Sequence, residues 1–214
     1  TDLAGNSATQ ASINALLDTV SPTTPISGID IGTDTGSSAT DFITKTASTT
    51  LIATLSASLA TGETLQYSLN DGSSWSDDDH NTAGGTAVTT AAVNLNAGTS
   101  KIKFRIQDAA GNTGSVAQQA YTLDTTNPTI TPVTIASNNA VSTLTKDGDV
   151  VTITLTANEQ IQTPTCDVEV PSGTDATNAE QINDQGSNVW KCAVTLADAD
   201  DDGTIVFTIV TTDI

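Results

Sequence analysis

Basic residues are scarce in this chain, with 6 Lys and Arg against 25 Asp and Glu and a formal net charge of −19. So few cations cannot neutralise a run of phosphates, which excludes a nucleic-acid binder built on a basic face. Histidine occurs once, as His80, and arginine once, as Arg105. A two-His metal site is out of reach, and a Ser-His-Asp triad would depend on the polar loop Asp77-Asp78-Asp79-His80 alone. That loop reads as solvated, and no enzyme activity is expected. No run of eighteen apolar residues occurs, so membrane insertion by an apolar helix is not expected. Methionine is absent, so the natural start is expected to lie outside these 214 residues. Aromatic residues make up only 3%, which points to a thin core of small aliphatic side chains.

Threonine, by contrast, fills roughly a fifth of the chain, a bias toward strands. Apolar and polar residues alternate with the period of half-buried strands. Leu51, Ala53 and Leu55 share one face, as do Leu65, Tyr67 and Leu69, then Ile102, Phe104 and Ile106. Later in the chain Val151, Ile153 and Leu155 repeat the pattern, followed by Trp190, Cys192, Val194 and Leu196. Turn sequences such as Asn70-Asp71-Gly72, Asn96-Ala97-Gly98 and Lys146-Asp147-Gly148 separate the runs.

The chain also repeats itself. Asp2-Leu3-Ala4-Gly5-Asn6 returns as Asp108-Ala109-Ala110-Gly111-Asn112, and Asp18-Thr19-Val20-Ser21-Pro22 returns as Asp124-Thr125-Thr126-Asn127-Pro128, both 106 positions on. Thr212-Asp213-Ile214 matches Thr1-Asp2-Leu3 and begins a third copy. Short strands, frequent turns and a repeat near a hundred residues predict an all-β chain of tandem immunoglobulin-like β-sandwiches. The expected division is 1–18 as the last strand of a preceding unit, 19–124 as one domain, and 125–214 as a domain lacking its last strand. A strand at 1–18 would expose the row Ala11, Ile13, Ala15 and Leu17, while the unfinished sandwich would show an open groove. The filling segment is expected from the continuing chain, or from a neighbouring molecule by strand addition.

The Asp-x-Ala-Gly-Asn turn, the Asp-Thr-Thr-x-Pro linker and the opening segment from Thr33 to Asp41 resemble the bacterial Ig-like repeats of large secreted, RTX-type surface adhesins. The resemblance implies an extracellular or cell-surface spacer. Its partners would be neighbouring Ig-like repeats of the same chain or head-to-tail copies, and its cofactor calcium at the domain junctions. The second unit departs from the pattern, carrying Ser137-Asn138-Asn139 and Lys146-Asp147-Gly148-Asp149 where the first has Asp34 and Asp41. The alternative is a subunit of a self-assembling extracellular filament or sheath, joined by strand complementation.

Calcium takes six to eight hard oxygen ligands, several of them carboxylates. The candidates at the first junction are Asp2, Asn6, Asp18, Asp34 and Asp41, and at the second Asp108, Asn112, Asp124 and Asp149. The competing explanation is that Asp and Asn are favoured turn residues. Asp198, Asp200 and Asp202 with Gly203 match the first half of an EF-hand loop. Ile209 stands where the bidentate Glu belongs, which leaves a looser calcium turn or an acidic hairpin.

Cys166 and Cys192 both fall on inward phases, so a bridge between core faces is expected, with two buried thiols as the alternative. Lys101, Lys103 and Arg105 share an outer strand face that reads as solvated, or as a meeting place for an anionic neighbour. Residues 68–75 resemble the Asp-box hairpin of sialidases. Sialidases need an arginine cluster, so that activity is excluded.

Overall fold

The computed structural model describes residues 3–7, 15–78, 85–169, 181–197 and 202–214. Among these the chain is all-β, as the alternation predicts. By contacts it forms two compact units. One comprises Thr1–Gly32, Thr50–Val93 and Ser100–Ala120, and the other Thr33–Thr49, Asn94–Thr99 and Tyr121–Ile214.

The first repeat runs through β1 (Ile26–Ile31), β2 (Ile43–Thr44), β3 (Ser48–Thr49), β4 (Leu51–Leu55) and β5 (Thr64–Ser68). It continues with β6 (Ser76–Asp78), β7 (Ala87–Thr89), β8 (Val93–Asn94), β9 (Gly98–Gln107) and β10 (Ala117–Leu123). One sheet has the order β1-β4-β7, the other β2-β10-β9-β5-β6, and β3 pairs with β8. The inward residues of β4, Leu51, Ala53 and Leu55, are buried, as are Ile102, Phe104 and Ile106 of β9. Burying this apolar surface is the main stabilising term, at about 25 cal/mol per Å2 removed from water. The Tyr121 hydroxyl of β10 accepts a hydrogen bond from the Asn96 N–H at 2.9 Å, so the largest buried side chain keeps its polar tip partnered. Gly114 has no room for a side chain, since a Cβ there would stand 2.7 Å from the Pro22 carbonyl oxygen.

Not every outward position of β5 is exposed. Gln66 donates to Asp77 Oδ1 and Gln107 Oε1, and accepts from Arg105 Nε at 2.7 Å. Ser68 Oγ donates to Asn70 Oδ1 and accepts from the Gly72 N–H. Both residues are buried, Gln66 under side chains of β6 and β9 and Ser68 against the turn that follows β5.

The second repeat contains β11 (Ile130–Ser137), β12 (Val150–Ala157), β13 (Thr165–Glu169), β14 (Gln181–Asp184), β15 (Val189–Thr195) and β16 (Val206–Val210). Its sheets have the orders β11-β12-β15-β14 and β13-β16. Burial alternates strictly along β12, with Val151, Ile153 and Leu155 inside. Val151, Ile153, Val168, Cys192, Val194 and Leu196 form the core cluster. Cys166 of β13 is bonded to Cys192 of β15, so the expected bridge joins the two sheets across 26 residues of sequence. Residues 15–20 form no strand, and the rest of the strand expected before them lies largely outside the described residues.

Candidate functional site

The acidic residues singled out by sequence fall into three places. In the first, Asp108 closes the turn after β9. Its Oδ1 accepts the N–H groups of Ala110 and Asn112 at 2.9 and 2.8 Å, and its Oδ2 accepts the Asn112 side chain at 2.9 Å. The Asn112 side chain, helped by the N–H groups of Asn112, Ala110 and Gly111, outweighs desolvation and holds the Asp108 carboxyl below its ordinary range. The same Asn112 amide reaches the Asp18 main-chain oxygen at 3.2 Å, and Asp18 Oδ1 accepts the Val20 N–H.

The second place lies at the other end of β10. Asp34 Oδ2 accepts the N–H of Phe42, and Asp41 Oδ1 that of Ile43. Asp124 donates its N–H to the Thr44 oxygen at 2.9 Å and accepts the Thr126 N–H on Oδ1. Asp124 and Asp213 both act on Glu159. Burial first, then these two negative charges, raise the Glu159 carboxyl above its ordinary range, against an opposing hydrogen bond from Asn158. Glu159 Oε1 and Asp34 Oδ1 are each enclosed and accept no hydrogen bond.

The structure therefore groups the candidates differently from the sequence. Asp108 and Asn112 sit with Asp18, while Asp34 and Asp41 sit with Asp124. Along the chain, Asp108 and Asn112 precede β10 and Asp124 directly follows it. The expectation placed a closing Asp beside the opening loop that follows it in sequence. That loop instead leads into β2, which pairs in parallel with the far end of β10.

Asp149 is a third case. It is buried, its Oδ2 accepts the Asn139 side chain at 2.7 Å and the Lys146 N–H at 2.9 Å, and Lys146 Nζ lies 3.4 Å from Oδ1. The Asn139 bond, followed by those from Lys146, holds its carboxyl below the ordinary range despite desolvation. These partners make it a turn clamp. Asn6 and Asp202 are exposed, and Asp2, Asp198 and Asp200 lie outside the described residues.

Carboxylate and carbonyl oxygens are the right donors for calcium, but most of these carboxylates already hold their own turns. Among the described residues, no three His, Cys, Asp or Glu side chains converge closely enough to form a ready metal site. The enclosed oxygens of Asp34 and Glu159 are the ones a cation would relieve. Sequence reasoning missed Glu159 and Asp213. Repeat arithmetic held the signal for Asp213, the counterpart of Asp108, just as Asp124 is the counterpart of Asp18.

The outer cationic face is internally occupied. Lys103 pairs with Asp71 at 2.7 Å, and the Arg105 guanidinium lies 4.1 Å from the Trp75 ring centroid. Trp75 is thus a partner of Arg105 rather than a bare aromatic platform. No curated protein matches the chain. Residues 21–125 match the family model of the bacterial Ig-like domain, so the first repeat of this all-β chain is similar to a bacterial Ig-like domain.

Proposed function

We propose that this chain is a structural extender repeat of a long extracellular bacterial surface adhesin, with calcium held by its acidic turns stiffening the array. The similarity of residues 21–125 to a bacterial Ig-like domain supports an extracellular structural module. The observation that carries calcium is Glu159, whose enclosed Oε1 has no donor while Asp124 and Asp213 oppose its ionisation. A cation at Glu159 would supply the positive charge that the nearby Asp124 and Asp213 call for. The second reading is a filament subunit joined by strand complementation, favoured by β16, which among the described residues pairs with β13 alone.

Melting curves in calcium, in chelator and in monovalent salt of matched ionic strength test the first reading. Calcium alone should raise Tm, and Glu159→Gln should abolish that gain. Equal curves in all three conditions overturn the calcium assignment.

A further inference from the structure

The internal partners on the outer face of β9 use only some of its polar atoms. At the centre Gln66 is 7% exposed, and both ends of its side-chain amide are committed. It donates to Asp77 and Gln107 and accepts from Arg105 Nε at 2.7 Å. That bond and the Trp75 ring, whose centroid lies 4.1 Å from Arg105 Cζ, fix the guanidinium. A guanidinium stacked on a ring keeps its in-plane N–H groups for other partners. Among the described residues, the terminal nitrogens of Arg105 and the indole N–H of Trp75 make no hydrogen bond, and neither group is enclosed. Further along the same face Lys101 is exposed, while Lys103 between them is tied to Asp71. Across Gln66, Asp77 uses Oδ1 alone, which leaves Oδ2 as an open acceptor.

The charges on this face select the ligand. Lys101, Lys103 and Arg105 outnumber Asp71 and Asp77 by one, so a single positive charge is left over on a chain of −19. One surplus charge matches one carboxylate. A polyanion would also meet the negative charge of the rest of the chain, which salt screens only beyond about 8 Å at physiological ionic strength. A carboxylate takes donors alone, so the open Asp77 oxygen calls for a hydroxyl on the same ligand. Sugar acids carry both groups on one ring.

We propose that the outer face of β5 and β9 in the first repeat is a glycan-binding site, and that it takes a uronic acid residue within an otherwise neutral saccharide. Arg105 and Lys101 hold the carboxylate. Asp77 Oδ2 and the Trp75 N–H bond the hydroxyls, and Gln66 positions Arg105 and Asp77 relative to each other. The site does not depend on calcium, and it adds recognition to a module proposed as a spacer.

The test is an NMR titration of the full chain in chelator and about 0.15 M monovalent salt. The probes are the disaccharide of glucuronate and N-acetylglucosamine, the same disaccharide with glucose in place of glucuronate, and an end-blocked tripeptide with a single glutamate. The glucuronate disaccharide should shift the Trp75 indole and Arg105 side-chain resonances saturably, and bind about tenfold or more tightly than either other probe. Arg105→Lys keeps the charge but loses the planar fork, and should weaken binding about tenfold. Lys101→Gln, at an exposed position, should weaken it about threefold without lowering Tm. Equal affinity for the neutral disaccharide overturns the carboxylate assignment, and equal affinity for the peptide overturns the glycan. Unmoved Trp75 and Arg105 resonances overturn the site, as does binding that survives both variants.

Discussion

The side-chain amide of Asn112 bonds the main-chain oxygen of Asp18 at 3.2 Å, across 94 residues of sequence. That amide is also the leading influence holding the Asp108 carboxyl below its ordinary range. Asn112→Ala should therefore move the Asp108 carboxyl up toward its ordinary value, which an NMR titration of Asp108 measures. Because the native value is depressed, the stabilisation is present above the unfolded value near 3.8 and fades as pH falls through the native one. The variant should be less stable at pH 7, and the gap from the parent should narrow in strong acid as the Asp108 contribution is lost.

Glu159 has the opposite sign. Its native value is raised above 4.5, so the folded state binds the extra proton and loses stability as pH rises from 4.5 through the native value. In chelator, Glu159→Gln should be as stable as the parent or more so at pH 7, and the difference should vanish below pH 4.5. A variant that melts lower than the parent at pH 7 in chelator would contradict this account.

Tyr121→Phe removes one hydroxyl from a buried ring and leaves its shape unchanged. The lost bond to the Asn96 N–H should cost about 1 kcal/mol, read from urea unfolding at constant m.

The Cys166–Cys192 bond closes a 26-residue separation, worth about 3 kcal/mol on the chain-entropy account. The double Cys→Ala variant should lose at least that much, since two core side chains shrink as well. The loss should fall on the second repeat. Tryptophan fluorescence separates the repeats, with Trp75 in the first and Trp190 in the second.

Much of the architecture is legible in residue order. Strict alternation from Val150 to Ala157 specifies which face of β12 is buried, and Cys166 and Cys192 share a phase because each points into the same core. The two-residue strands β2, β3 and β8 are too short for any periodicity to register. Gln66 looks like a solvent position because Arg105 and Gln107, which bond it, come from distant sequence, whereas Ser68 is covered by the turn that follows it. The acidic turns were visible as residues, but their grouping depends on which end of β10 each one meets, and that is a property of topology. Glu159 carries no motif. Its role arises from burial and from charges 35 and 54 positions away.

The parallel pairing of β2 with β10 has a mechanical consequence. Ile43 and Thr44 lie beside Thr122 and Leu123, tied by bonds from the Thr122 N–H to the Phe42 oxygen at 2.8 Å and from the Asp124 N–H to the Thr44 oxygen at 2.9 Å. One strand belongs to the entering chain and the other to the departing chain. Tension applied along the polypeptide drags them in opposite directions along a shared axis, so these bonds are loaded in shear and give way together. An antiparallel hairpin pulled from its open end would unzip one bond at a time. This short clamp therefore resists extension of the first repeat in shear.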